Sequence, residues 1–432
     1  MIVIIQPSVI SGIVNAPASK SCMQRACALA LLHAGETVIL NAGKSNDDNA
    51  ALNIIQDLGA IITDENEKII VKSDYPLQGG KSTIHCGESG LSLRMFTPIA
   101  AILKREITIT GAGSLLQRPV DFFSNVLPQL NVAVFSKEGK LPIKVYGPLV
   151  SKEITIDGSL SSQFLTGLLL AFSKSCTEPV TIHVNDLASK PYIDLTLQMM
   201  HHFGRVVEND SFQNFIIYPE KSNLNELQSS TDENKVIYKV EADWSSASFL
   251  LVAGAIAGKD VVIRNLNINS SQADKKIIEV LQIAGADLKI NDDEVIITKK
   301  ELKGFQFDAS DCPDLFPPLV ALASFCKGQS VIKGVHRLQH KESNRAKTLR
   351  QEFTKLGVNI FFVDDEMHVQ NTAEIKGGVV DSHNDHRIAM ACAVAACGAS
   401  GPVTIQHAEA INKSYPDFFE HLQLLNVSLQ KT

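Results

Sequence analysis

The sequence predicts an α/β chain of two domains, built from six copies of a strand–helix–hairpin module. Three observations predict it. First, an apolar residue followed by a Gly or Asn pivot recurs along the chain. The copies are Leu58-Gly59-Ala60, Leu130-Asn131-Val132, Phe203-Gly204-Arg205, Ala284-Gly285-Ala286, Leu356-Gly357-Val358 and Leu425-Asn426-Val427. Subtraction of their numbers spaces the pivots 72, 73, 81, 72 and 69 residues apart. Gly and Asn tolerate the left-handed backbone that closes a helix. Second, an amphipathic stretch precedes each pivot, as at Asp48 to Leu58 and Ile277 to Ala284. Third, a hairpin pattern follows the first five. Ile61-Ile62 and Ile69-Ile70-Val71 flank a polar turn, as do Leu288 to Ile290 and Val295-Ile296-Ile297.

The sixth copy has only Val427 to Thr432 after its pivot, too little chain for a hairpin. Ile2-Val3-Ile4-Ile5 can supply the missing strand. That places the N-terminus with the C-terminal half; the alternative is an edge strand of the first half. On the crossed reading, domain I is residues 1–18 plus 241–432 and holds copies four to six. Domain II is residues 19–240 and holds copies one to three. A chain of 432 residues is comfortable for two cores. The longest pivot spacing contains Pro219 to Lys235, a polar stretch that reads as a surface excursion near the passage between domains, or as a solvated loop within one.

Composition is that of a soluble globular protein, 45% hydrophobic and 20% charged. Met1 to Ile10 lacks the basic start and apolar run of a signal peptide. No apolar stretch has the length of a membrane span, so a cytoplasmic protein is expected. The eight cysteines are scattered; Cys22/Cys27 and Cys392/Cys397 have neither zinc nor redox spacing. A formal net charge of −7 disfavours a nucleic-acid binder held by phosphate contacts. Cations that matter must therefore be local.

Seven short segments rich in Ser, Gly or Asn carry such cations, most ahead of a helical apolar pattern. They are Ala18-Ser19-Lys20-Ser21 with Arg25, Cys86 to Arg94, Gln117-Arg118-Pro119, Ser189-Lys190-Pro191-Tyr192, His340 to Arg345, His383 to Arg387, and Asn412 to Pro416. Helix starts present free N–H groups and a positive dipole end, and with Lys or Arg added they bind phosphate and carboxylate. The same residues, one segment at a time, also read as plain caps. Together they point to a cleft for polyanionic small molecules. Gly158 to Thr166 adds three polar side chains before an apolar helix. Asp311-Cys312-Pro313-Asp314 sets an acid beside prolines, and Asp314 is a candidate general base. Glu342, beside Lys341, is a second acid able to exchange protons. Lys20, at an anion-lined helix start, is expected to be exposed in the open form of the protein.

These segments resemble the 5-enolpyruvylshikimate-3-phosphate synthase family over nearly the whole chain. The most specific pieces are Ser161 to Thr166, Ser189 to Asp194, Lys341 to Arg345 and Asn384 to Arg387. The resemblance implies a two-domain inside-out α/β barrel of six repeated βαβαββ-type units, three per domain, with the active site in the cleft between domains. It implies transfer of the enolpyruvyl group of phosphoenolpyruvate to the 5-hydroxyl of shikimate 3-phosphate, with release of phosphate. Lys20, Ser21, Arg25, Ser161, Ser162, Gln163, Ser189, Asp314 and Lys341 then correspond to shikimate 3-phosphate contacts. Lys20, Gly90, Arg118, Gln163, Arg345, Arg387 and Lys413 correspond to phosphoenolpyruvate contacts. Asp314, Glu342 and Lys20 correspond to catalytic groups. No metal or cofactor is implied, nor any nucleic-acid or membrane partner, and a monomer is expected. The chain departs from the family pattern at Glu88, where many members have Asn, and at Leu91, where they have Thr. Arg337 and His340 also lie off-pattern and receive no role. The runner-up is the related transferase acting on UDP-N-acetylglucosamine, which would want a reactive Cys near Cys86. A non-catalytic anion- or RNA-end-binding protein on the same repeats is the alternative from another class.

Overall fold

In the computed structural model, the described residues are 1–65, 68–74, 77, 79–220, 234–339, 341–370 and 374–432. Most of the polar stretch Pro219 to Lys235 therefore lies outside them, as does His340. All six pivots take positive φ: Gly59 118°, Asn131 62°, Gly204 71°, Gly285 83°, Gly357 91° and Asn426 65°.

Twelve α-helices, two per copy, lie among the described residues. They are α1 (Lys20–Leu32), α2 (Asn46–Asp57), α3 (Gly90–Ala100), α4 (Asp121–Val126), α5 (Ser162–Ser175), α6 (Lys190–His202), α7 (Trp244–Ala257), α8 (Ile277–Ile283), α9 (Phe316–Ala323), α10 (Arg345–Lys355), α11 (His386–Gly398) and α12 (Phe418–Leu424). The chain divides into two compact units, Met1–Pro17 with Glu241–Thr432, and Ala18–Val240. In the second, α1, α3 and α5 pack on one another; in the first, α7, α9 and α11 do. Their sequences dictate this. Helix α7 reads WSSASFLLVAGAIA, carries no charge and is buried along its whole length. A helix apolar on every side belongs in a core. Small residues in α11 (HRIAMACAVAACG) allow close approach to its neighbours.

Six four-stranded sheets, one per copy, carry the strands. The second copy shows the pattern. Strand Thr83–His85 runs parallel to Glu106–Thr110, which pairs antiparallel with Lys140–Tyr146, whose other edge takes Ala133–Lys137. In the sixth copy, Val3–Ile5 lies between Val403–Gln406 and Leu429–Lys431, antiparallel to both. The N-terminal strand thus fills the place left by the short C-terminal end. Two further strands are supplied from a distance in sequence. Ile10–Asn15 pairs parallel with Gly258–Arg264 of copy four, and Lys235–Lys239 with Gly35–Leu40 of copy one.

This topology sets where chemistry collects. Helices α3, α5, α9 and α11 each follow the first strand of their own sheet. Their N-termini therefore emerge beyond the carboxyl ends of parallel strands, the usual ligand end of a β–α–β unit. Side-chain caps define the starts of α3, α5 and α11. Ser89 accepts from Ser92 N–H, Ser161 from Gln163 N–H, and Asp385 from Arg387 N–H.

Candidate active site

In the unit Ala18–Val240, the candidate residues sit at or near the starts of α1, α3, α5 and α6, except Arg118, which follows the 3-10 turn Gly113–Gln117. Lys20 opens α1. Its side chain is 15% exposed, with Nζ 2.9 Å from Asp47 Oδ2. The reason is local. A capping box of Ser45 and Asp48 starts α2 and carries Asp47 in its first turn, where a carboxylate is favoured by the helix dipole. Burial pushes the Asp48 carboxyl up to about 6, against the hydrogen bonds from Ser45.

Arg25, one turn beyond Ser21, is 1% exposed. Its Nη1 donates to Ser21 O (2.9 Å), its Nε to Thr196 Oγ1 (2.8 Å) and its Nη2 to Tyr192 O (3.3 Å). These acceptors are neutral, and burial lowers the guanidinium pKa. The bonds join α1 to α6, whose first residue follows Ser189. Ser189 is buried at φ 56° and its hydroxyl does not cap the helix. Arg25 therefore brings Ser21 and the start of α6 together.

Gly90, the first residue of α3, makes room for Arg118. A Cβ at Gly90 would lie 2.4 Å from Arg118 Nη1 and 3.1 Å from Arg94 Nη1. Gly90→Ala is expected to displace Arg118 and weaken anion binding there about tenfold or more with a retained melting temperature, checked by calorimetry with inorganic phosphate and by thermal unfolding. Arg94, the cation of its segment, had no assigned role in the sequence. Its Nη1 donates to Gln163 Oε1 at 2.8 Å, and its guanidinium lies 5.2 Å from the Phe164 ring centre. That bond fixes which face of the Gln163 amide is the donor. A lone Arg in the otherwise uncharged helix GLSLRMFTPIA was the available signal. Ser161 caps α5 and Ser162 is its buried first residue. Ser89 and Ser92 both donate to Gln24 Oε1 at 2.9 Å, tying α3 to α1.

Glu88, the off-pattern acid, accepts from Ser114 N–H at 3.4 Å and packs on Gly113, where an added Cβ would lie 2.3 Å from its Cδ. It is drawn to the 3-10 turn Gly113–Gln117 that leads into Arg118. Cys86 is fully buried, and burial drives its thiol pKa well above the ordinary value. A buried neutral thiol is inert, unlike a reactive one.

In the other unit, Asp314, Lys341, Glu342, Arg345 and Arg387 form one ionic cluster. Asp314 sits in a 3-10 turn, Pro313–Leu315, that leads into α9. Its Oδ1 accepts from Arg345 Nη1 at 2.7 Å and from Lys341 Nζ at 3.3 Å; its Oδ2 accepts from Arg387 Nη2 at 3.2 Å. Arg345 also donates from Nη2 to Glu342, and from Nε and Nη2 to Asp385 at 2.9 and 3.2 Å. Three cations thus face three carboxylates. Burial pushes the Asp314 carboxyl up, yet Arg387, Lys341 and Arg345 together hold it well below the usual range. Burial lowers Lys341; Asp385 and Glu342 outweigh burial and raise Arg345. Behind them, burial and the charge of Asp314 raise the carboxyl of Asp274. Lys413 ends the turn Ala408–Lys413, which packs on α11, and is 6% exposed.

Asp385 had no assigned role in the sequence, although it stood in a recognised segment. Its double use, as cap of α11 and as partner of Arg345, needs the fold to be seen. The cluster can hold an anionic ligand with Arg345, Arg387 and Lys341 while presenting Asp314 as a proton acceptor.

Comparison with known proteins agrees with this chemistry. The family profile for EPSP synthase (3-phosphoshikimate 1-carboxyvinyltransferase) matches residues 4–422. The chain is 37% identical over 428 residues to the 3-phosphoshikimate 1-carboxyvinyltransferase of Clostridium novyi (strain NT), covering 96% of this chain and 95% of that one. It is 36% identical over 431 residues to that of Clostridium perfringens (strain SM101 / Type A), covering 99% of both. A solved EPSP synthase from Acinetobacter baumannii superposes with a TM-score of 0.81 at 25% identity, covering 100% of both chains. The chain belongs to the EPSP synthase (3-phosphoshikimate 1-carboxyvinyltransferase) family.

Proposed function

We propose residue roles for the reaction that family membership brings to this chain: transfer of the enolpyruvyl group of phosphoenolpyruvate to the 5-hydroxyl of shikimate 3-phosphate, with release of phosphate. One observation carries the proposal. Asp314 is a carboxylate held by Lys341, Arg345 and Arg387, three cations suited to a phosphate and a carboxylate. Phosphoenolpyruvate takes Arg345 and Arg387, joined by Lys413, Arg118, Gln163, Lys20 and the N–H at Gly90. Shikimate 3-phosphate takes Ser21, Arg25, Ser161, Ser162, Gln163, Ser189, Lys20 and Lys341, with its 5-hydroxyl at Asp314.

Chemically, Asp314 accepts the 5-hydroxyl proton as that oxygen bonds to C2 of phosphoenolpyruvate. Glu342, with Lys20, delivers a proton to the C3 methylene, which gives a tetrahedral intermediate. Loss of a proton from C3 then expels phosphate and restores the double bond. The surrounding cations stabilise the leaving anion. In the free protein Asp314 is a weak base, because three cations favour its ionised form. Bound phosphate and carboxylate draw those cations off and raise its basicity where a base is needed.

The deeply buried Cys86 favours the shikimate acceptor over UDP-N-acetylglucosamine. Among the described residues, no helix is long and apolar enough to cross a membrane. The net charge of −7 speaks against a nucleic-acid partner held by phosphate contacts, and a cytoplasmic monomer is part of the proposal. Phosphate release by dialysed protein, with each acceptor in turn, tests the assignment. Release with shikimate 3-phosphate alone is expected; release only with UDP-N-acetylglucosamine, or with neither, would contradict it.

A further inference from the structure

Helix α10 carries Arg345 at its first residue and Glu352 two turns later. Seven residues return a helix to nearly the same face, with a rise of about 10.5 Å. Arg345 holds Asp385. Glu352, fully buried, holds the other end of the same segment. Its Oε2 accepts from the N–H of Asp381 at 2.9 Å and from Lys355 Nζ at 2.6 Å; its Oε1 lies 2.9 Å from His383 Nε2. Four residues span at most about 14 Å when extended, so the segment 381–385 is gripped near both ends along one face of α10. Between the grips, His383 and Asn384 have φ of 52° and 55°, a conformation that L residues seldom adopt unaided. His383 N–H donates to Asp381 Oδ1 at 2.6 Å, and Asn384 N–H to Ser382 Oγ at 3.1 Å. This bent segment delivers Asp385 to Arg345, and Arg387 to Asp314.

We propose that Glu352, acting through His383 and the backbone of Asp381, is a positioning residue for the phosphoenolpyruvate clamp. The proposal rests on the reading of Arg345 and Arg387 as that clamp. Glu352 touches neither substrate. It sets the register of the 381–385 segment against α10 and so fixes where the two guanidinium groups point. The substrate held by that clamp should therefore suffer more than the other when Glu352 is changed.

The test is steady-state kinetics of the full chain, with KM measured separately for each substrate. Glu352→Met keeps the length and removes the acceptor. It is expected to raise the KM for phosphoenolpyruvate about tenfold or more, while the KM for shikimate 3-phosphate moves by less than about twofold. Glu352→Gln keeps one oxygen for the Asp381 N–H and is expected to raise it less. If Glu352→Met does not fold, His383→Leu carries the test, since that side chain is 34% exposed; His383→Gln should then be the milder change of that pair. Equal rises in both KM values, or a lowered melting temperature with neither KM moved, would overturn the proposal. Arg387→Gln is the control. If it leaves the KM for phosphoenolpyruvate unmoved, the clamp reading falls and this proposal with it. If it raises that KM while Glu352 and His383 variants do not, this proposal alone falls.

Discussion

Asp314→Ala is expected to lower kcat by about 10²- to 10⁴-fold, the range for loss of a general base. Binding should respond in a different way. Without Asp314, Lys341, Arg345 and Arg387 lose one of their carboxylates, so the cluster gains net positive charge. The KM for phosphoenolpyruvate should hold or fall, because the anion no longer competes with an internal carboxylate. Binding of shikimate 3-phosphate should weaken by less than about tenfold, the cost of a hydrogen bond to one hydroxyl. A base acts on the barrier, so the loss belongs in kcat. Calorimetry for shikimate 3-phosphate and turnover at saturation check this. Lost binding with retained turnover would make Asp314 a holding group only.

Lys20→Met should be nearly as damaging. Lys20 is assigned to both substrates and to proton delivery, and turnover is expected to fall by about 10²-fold or more. The ion pair with Asp47 adds a consequence that the sequence did not reveal. The substitution leaves Asp47, only 7% exposed, without its lysine. Its place in the first turn of α2 eases that loss, because the helix dipole still favours a carboxylate there. A folded protein with a somewhat lower melting temperature is therefore expected. Near-normal phosphate release from a folded variant would remove Lys20 from the mechanism.

The repeat was legible because its signal is conformational. Gly or Asn at each pivot marks a left-handed residue, and all six take it. The N-terminal strand was legible by subtraction, since Val427 to Thr432 could not make two strands. The remote pairings of Ile10–Asn15 and Lys235–Lys239 were less so, because both are ordinary short alternating runs. At the site, cations at helix starts stood out, while their partners did not. Asp47, Asp385 and Glu352 read locally as cap or surface acids; their roles depend on helices that meet only in the fold.

The central claim is that Asp314 is kept ionised by Lys341, Arg345 and Arg387 until bound anions take those cations. Carbon-13 NMR of carboxyl-labelled aspartate, with the signal assigned by loss in Asp314→Asn, reads its titration directly. In the free protein the Asp314 carbon should titrate below the ordinary carboxylate range, as its three cations require. With saturating shikimate 3-phosphate and inorganic phosphate, the same carbon should titrate at a clearly higher pH. An unchanged titration, or a free protein whose Asp314 already titrates in the ordinary range, would contradict the account.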